Sequence, residues 1–179
     1  LGTETGGSVR LPASYCGIYG LKTTYGVLSR WGVVAYGSSL DQVGILGHTP
    51  QDIALPLSVM SGVDFYDDTS ADLPDAKPSV QAFSDFSKLK IAVPKQFLES
   101  KGMDADVAKV FEETRGWFES KGAKIEVVDL PILDAAIASY YVIALSEAAS
   151  NLSRFDGIRY GNRIDNGKGY DELYVDNRS

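Results

Sequence analysis

One stretch of about forty residues constrains the fold more than any other part of the chain. "KLKIAVP" (88–94) is a short apolar run closed by proline and reads as a buried strand. In "DADVAKVFEETRGWFESKG", Val107, Val110, Phe111, Thr114 and Phe118 recur at three- and four-residue spacing, with Asp104 placed to cap and Gly122 just past the end. That pattern predicts an amphipathic helix. "AKIEVVDLP" then predicts a second strand. Strand, helix and strand in so short a span imply parallel neighbours joined by a right-handed crossover, and hence an α/β chain with helices flanking a mixed sheet.

Two further helices follow from local chemistry. "TPQDIALPLSVMSG" offers Thr49 as N-cap, Pro50 at the first helical position, Asp52 three residues after the cap and Gly62 at the end. Pro56 inside it is expected to kink or shorten it. "ILDAAIASYYVIALSEAASNLSRF" is apolar round most of its circumference and predicts a long, largely buried helix. In the glycine-rich remainder, "YDELY" marks the start of another helix.

Glycine and charge divide the chain into regions. Residues 1–62 hold 11 of the 18 glycines and only six charged side chains, Glu4, Arg10, Lys22, Arg30, Asp41 and Asp52, which reads as turn-rich, mostly buried backbone. Residues 63–85 hold six aspartates against Lys77, with Pro74 and Pro78, and read as an exposed acidic connection without chemistry of its own. Residues 86–179 contain the strand–helix–strand unit and the helices after it.

Composition excludes several function classes. A chain that is 44% hydrophobic and 23% charged is of ordinary globular type. No run approaches the roughly 18 uninterrupted apolar residues of a membrane span, and "AAIASYYVIAL" is too short, so no membrane is expected. One cysteine, Cys16, and one histidine, His48, allow neither an internal disulfide nor a zinc cluster, which suits a reducing compartment. A net charge of −7 argues against a direct grip on nucleic acid. The chain opens "LGTETGG", with neither an initiator methionine nor a leader, and reads as the interior of something longer.

The most informative short stretch is "TGGSVR" near the start. Serine becomes a nucleophile only when a base takes its proton, and acyl transfer also needs donors aimed at the developing oxyanion. Gly6 and Gly7 let the backbone turn tightly and converge the amides of Thr5, Gly6 and Gly7 on one point. A phosphate-binding nest would use the same geometry, but "VRLPASYCG" allows only a brief helical turn, from Pro12 to about Cys16, before Gly17 stops it. An ordinary turn is the third reading. For the base, His48 is expected to face solvent ahead of its helix, and Lys22 in "GLKTTYG" to serve structure. Cys16 is expected to be a packed thiol, and Arg10 to anchor the loop by pairing with a buried carboxylate.

"GTETGGSVRLPASYCGIYGLKTTYG" resembles the signature segment of the amidase signature family, whose nucleophile is the serine of an Asp-Thr-Gly-Gly-Ser-Ile/Val-Arg-x-Pro motif. The match spans Thr5, Gly6, Gly7, Ser8, Val9, Arg10 and Pro12. "YGVLSRWGVVAYGSSLDQVGILGHT" and "SYYVIALSEAASNLSRFDGIRYG" resemble the tRNA-dependent amidotransferase branch of that family.

The resemblance implies an amidase-signature fold, incomplete here, with residues 1–179 as part of one amidase domain and 1–62 its nucleophile-bearing segment. Ser8 would attack the carboxamide of glutamine, the Thr5, Gly6 and Gly7 amides would hold the oxyanion, and Tyr140 would line the glutamine pocket. A second serine bridging to a lysine would activate Ser8. Both precede the motif in the family and neither lies in residues 1–179, so these residues alone are expected to be inactive. The chain itself would need no cofactor or metal. The whole heterotrimeric assembly, with B- and C-type subunits, would use ATP and Mg to turn Glu-tRNA(Gln) into Gln-tRNA(Gln), in bacterial cytoplasm or an organellar matrix. Glu4, Leu11 and Thr23 depart from the common aspartate, glutamine and proline of the motif; Glu4 is the one placed to alter how the loop is tied down. A stand-alone amidase and a non-catalytic anion-binding module are the competing readings.

Overall fold

The computed structural model describes residues 1–73, 80, 84–99 and 102–178. They form two compact units, Leu1–Val80 with Tyr140–Ser179, and Gln81–Ser139.

The first unit is built on a three-stranded antiparallel sheet, in the order β1 (Gly2–Glu4), β3 (Gln42–Gly47), β2 (Tyr19–Lys22). Gly2 faces Gly44 and Glu4 faces Gln42 on one side of β3; Tyr19 faces Gly47 and Lys22 faces Gly44 on the other. Sequence pattern predicts no strand here, because β2 and β3 are interrupted by Gly20, Gly44 and Gly47, a residue that weakens strands. The glycines are there for packing. A Cβ on Gly44 would lie 2.7 Å from the Leu21 carbonyl oxygen and 2.9 Å from a Val9 methyl, so side chains here would push away the segment leading into helix α1 (Arg10–Cys16).

Helix α1 begins two residues earlier than expected and ends as expected, where Gly17 adopts φ 64°. Helix α2 (Pro50–Met60) forms with the Thr49/Asp52 capping box complete: Asp52 N donates to Thr49 Oγ1 at 3.1 Å and Thr49 N to Asp52 Oδ2 at 2.9 Å. Pro56 does not shorten it; the helix runs on to Met60, since proline forfeits a single backbone bond while Ile53 and Leu57 hold the buried face. Val27, Leu28, Ile45, Ile53 and Leu57 form the core, with Leu21, Val43 and Met60 packed on it. Residues 1–62 are less buried than their composition suggests: Tyr15, Trp31 and Val34 are exposed.

The described part of the acidic segment is largely exposed, as expected, and is tied down through its aspartates. Asp64 accepts from Ser29 Oγ at 2.6 Å, Asp67 from the Arg30 amide at 2.7 Å, and Ala71 N donates to Gly26 O at 2.9 Å. Bonds from Ser29 and the Tyr66 amide hold the Asp64 carboxyl below its ordinary range. Residues 74–79 and 81–83, with Pro74, Lys77 and Pro78, lie outside the described residues.

In the second unit, β4 (Lys90–Pro94) and β5 (Lys124–Val128) pair in parallel, Lys90 opposite Lys124 and Pro94 opposite Val128. Between them run a short helix α3 (Lys95–Leu98) and the amphipathic α4 (Ala105–Ser120), whose cap Asp104 accepts from Asp106 N at 2.8 Å. The inward stripe of α4 is Ala108, Phe111, Arg115 and Phe118; Val107, Val110 and Thr114 are exposed, against expectation. Two strands offer a narrow face and bury little, so only Val93 of β4 is buried. Phe86, Trp117 and Phe118 make the aromatic cluster of this unit, with centroids 5.4 Å apart for Phe86–Trp117 and 5.0 Å for Trp117–Phe118.

The segment 131–152 is a 3₁₀ turn (Pro131–Ala135) followed by α5 (Ala136–Leu152), and α6 (Tyr170–Arg178) closes the chain. The long helix is present but is not buried as expected. Only Ala144 and Ala148 are buried, because residues 140–152 of α5, which belong to the first unit, turn one stripe to the rest of it while Tyr141, Val142 and Leu145 are exposed. By length and composition the 22 residues of 131–152, with mean hydropathy 1.4, pass as long and apolar enough to cross a membrane, although no unbroken apolar run of that length exists in them. Glu147 and Asn151 lie within that stretch and bond to the 36–39 backbone and side chains, so this end of α5 is docked on protein.

Candidate active site

The "TGGS" stretch is a loop suspended between β1 and α1. Its last element before the bend is Glu4, only 1% exposed, whose carboxylate reaches across the loop to the far side. Oε2 accepts from the amides of Val9 and Arg10, each at 3.1 Å. Oε1 accepts from Arg10 Nε at 2.7 Å and also from Arg10 Nη2. Helix α1 has Val9 at its N-cap, which provides no side-chain acceptor, and Glu4 supplies that acceptor from the neighbouring strand. Burial alone would raise the Glu4 carboxyl, but the Arg10 side chain and the Arg10 and Val9 amides outweigh it and hold it below the usual range. Arg10 is thus the loop anchor that the sequence suggested, and the departure at Glu4 falls on the group that makes the clamp.

Within the clamp the backbone bends through Thr5, Gly6 and Gly7 into the turn at Ser8. Gly7 has φ 128°, a conformation that a side chain would strain, and its carbonyl accepts from Leu11 N at 2.8 Å to start α1. Ser8 is exposed. Among the described residues, no protein oxygen accepts from the amides of Gly6, Gly7 or Ser8. The loop therefore presents unspent donors beside an accessible hydroxyl.

Two more contacts fix this loop. Thr5 Oγ1 donates to Asp41 Oδ1 at 2.5 Å. The ring of Tyr140, at the first turn of α5 within this unit, lies against Gly6: a Cβ there would meet the Tyr140 ring at 2.6 Å and its hydroxyl oxygen at 2.8 Å. Tyr140 is half-buried and makes an edge contact with Tyr141 at 5.5 Å. Structure thus brings Thr5, Gly6, Gly7, Ser8 and Tyr140 together, although 132 positions separate Ser8 from Tyr140 in the sequence.

The other residues weighed as chemistry fall elsewhere. Lys22 Nζ donates to the Thr23 carbonyl at 2.9 Å and to Gln42 Oε1 at 3.1 Å, which is a structural engagement. His48 is exposed at the foot of α2. Cys16 is exposed rather than packed, because α1 turns Ala13 inward and leaves its last residue outside. Sequence reading missed Asp41, whose buried carboxylate is hydrogen-bonded to this loop. A cavity of about 590 Å³, lined by Arg30, Trp31, Tyr66, Arg154, Phe155 and Tyr160 among others, includes no residue of the Ser8 loop.

Comparison with known proteins identifies the family. A family model described as Amidase matches residues 1–179. The A subunit of glutamyl-tRNA(Gln) amidotransferase from Treponema denticola is 59% identical, over 100% of this chain and 38% of its own length. That of Clostridium botulinum is 50% identical, over 100% of this chain and 37% of its own. The crystal structure of the same subunit from Thermotoga maritima superposes with TM-score 0.72 at 38% identity, covering 96% of this chain and 34% of that one. The peptide amidase of Stenotrophomonas maltophilia shares the fold at TM-score 0.68 and 22% identity, over 99% of this chain and 40% of its own. The chain spans less than two fifths of the length of the curated relatives it matches. With the family model matched from end to end and the signature loop folded as an open donor cradle, the chain belongs to the amidase signature family.

Proposed function

We propose that these residues form the acyl-forming part of a glutamine-hydrolysing subunit of a tRNA-dependent amidotransferase. Ser8 Oγ attacks the side-chain carboxamide carbon of glutamine, and the tetrahedral oxyanion is held by the amides of Thr5, Gly6 and Gly7. Collapse breaks the C–N bond; ammonia leaves with the proton taken from Ser8, and water then cleaves the seryl ester to give glutamate. Tyr140, on the rim of the loop, lines the pocket for the glutamine chain. The proton is moved by a serine–lysine pair outside residues 1–179. Lys22 is tied to Thr23 and Gln42, and His48 is placed at the foot of α2, so neither is assigned that role.

Ammonia then passes to a partner subunit, where ATP and Mg activate the glutamyl carboxylate of Glu-tRNA(Gln). A chain of net charge −7 leaves the tRNA to that partner. The work belongs to the cytoplasm or an organellar matrix. The observation that supports the reading most strongly is the pair of open Gly6 and Gly7 amides next to the exposed Ser8 hydroxyl.

The test is Ser8→Ala in the full-length protein assembled with its partners. Glutamine hydrolysis should fall at least about 10³-fold, and labelling by a fluorophosphonate should vanish. Retention of hydrolysis in that variant refutes the assignment, and turnover of simple amides in preference to glutamine would favour a stand-alone amidase.

A further inference from the structure

The buried Asp41 carboxylate is only 5% exposed, and the chemistry above does not use it. One oxygen takes the Thr5 hydroxyl, and the other takes the amides of Tyr36 at 2.7 Å and Gly37 at 3.0 Å. All three bonds therefore go to the Ser8 loop or to the turn 36–41. That turn is closed by Asp41 N and Leu40 N donating to the Gly37 carbonyl at 2.7 and 2.9 Å, and Arg30 Nη1 donates to the Ser38 carbonyl from the other side.

The same turn grips α5. Ser39 N donates to Glu147 Oε2 at 2.9 Å and Ser39 Oγ to Oε1 at 2.5 Å. Asn151 Nδ2 donates to the Tyr36 carbonyl at 3.0 Å and to Ser38 Oγ at 2.9 Å. Gly37 sits between the two clients: a Cβ there would lie 3.2 Å from the Thr5 methyl and 3.9 Å from Ala144 Cα. Glu147 lies two helical turns beyond Tyr140 on α5, whose ring rests on Gly6. The loop that presents the donors and the helix that presents the ring thus have a common bracket.

We propose that Asp41 is a positioning residue which, through the 36–41 turn, fixes the Ser8 loop and the Tyr140-bearing helix in one frame, setting the gap into which the substrate chain must fit. This deepens the reading of the site given above and rests on it. The arrangement separates two effects. Breaking the loop-side bonds disturbs the donors around Ser8, whereas breaking the helix-side bonds shifts only the ring.

The experiment uses the full-length protein with its partner subunits, reading kcat and KM for glutamine and the rate of fluorophosphonate labelling. Asp41→Ala and, as the variant that removes one bond alone, Thr5→Val should slow labelling by about tenfold or more through misplacement of the loop. Asp41→Asn should recover most of the loss, because its carbonyl can still accept from both amides and its NH2 can donate to Thr5 Oγ1. Glu147→Ala and Asn151→Ala should raise KM about tenfold while labelling stays within about twofold of the parent. Parental labelling in both Asp41→Ala and Thr5→Val, or an unchanged KM in both α5 variants, overturns the bracket. Glutamine hydrolysis surviving Ser8→Ala in the same series instead overturns the underlying reading, so the two failures are told apart.

Discussion

Replacing Glu4 with glutamine keeps the side-chain length and removes the charge and one acceptor oxygen, which makes it the sharpest probe of the clamp. Four donors surround the carboxylate: the Val9 and Arg10 amides on one oxygen, Arg10 Nε and Nη2 on the other. Glutamine has one acceptor oxygen and must point its NH2 at one of these pairs. Val9 is 1% exposed whereas the Arg10 side chain is 57% exposed, so the carbonyl stays with the amides and Arg10 swings to water. The two amide bonds then lose charge assistance, about 0.5–1 kcal/mol each on the difference between neutral and charged hydrogen bonds. The lost ion pair, discounted for the exposure of Arg10, adds about 0.5–1 kcal/mol.

The total is about 1.5–3 kcal/mol, or roughly 10- to 140-fold in the opening equilibrium of the loop at about 1.4 kcal/mol per decade. Hydrogen exchange across residues 5–11 of the full-length protein reads that equilibrium directly. Exchange at Val9 and Arg10 should accelerate by that factor, while β3 stays protected. The pH dependence fixes the sign. Glu4 is held below its ordinary range, so its contribution is complete above the unfolded carboxyl value, about 4.3, and is lost as pH falls through the lower folded value. Parent and variant should therefore differ by a constant factor from about pH 5 to 8 and converge in more acid solution. Acceleration of less than about threefold at neutral pH, or a difference that widens on acidification, would refute a charged clamp.

Two other perturbations test the same geometry. Gly6→Ala places a Cβ about 2.6 Å from the Tyr140 ring, so loop or ring must move, and fluorophosphonate labelling of Ser8 should drop about 100-fold. Adding Tyr140→Ala to it should restore part of the rate, a non-additivity that two independent lesions would not give. In the core, Ile45→Ala removes the largest fully buried apolar side chain and should cost about 2–5 kcal/mol in urea unfolding of the full-length protein; a loss under about 1 kcal/mol would mean that β3 is not the centre of this unit.

What the sequence disclosed depended on whether the deciding forces were local. The α2 capping box and the α4 cap lie within three residues of their partners, and spacing alone located them. The parallel pairing of β4 with β5 followed from the helix read between them, since parallel neighbours need such a crossover. Strands β1 to β3 were hidden because their glycines answer to a neighbour, such as the Val9 methyl 2.9 Å from a Cβ on Gly44, and not to the strand itself. The inward face of α4 was misjudged by one position because a two-stranded sheet cannot cover a stripe as wide as the apolar pattern suggests.

The site follows the same rule, with one usable signal left in the sequence. Ser8 and its glycines were legible because tight backbone and a hydroxyl have to be adjacent, whereas the meeting of Tyr140 with Gly6 depends on a fold that joins distant segments. Asp41 was also invisible as a partner, yet its scarcity made it conspicuous. In residues 1–62 only six side chains are charged, and every one of them is engaged in a specific bond. Glu4 holds Arg10, Lys22 holds Gln42, Arg30 holds the 36–41 turn, Asp41 holds Thr5, and Asp52 closes its own cap. Of the six, Glu4 and Asp41 are buried, and in those two places the charge makes a hydrogen bond that is both buried and strong. In such a segment a lone charge is a better pointer to architecture than any apolar period. Here two of the six charges, Glu4 and Asp41, hold the ends of the loop on which Ser8 stands, one through the start of α1 and the other through the turn that docks α5.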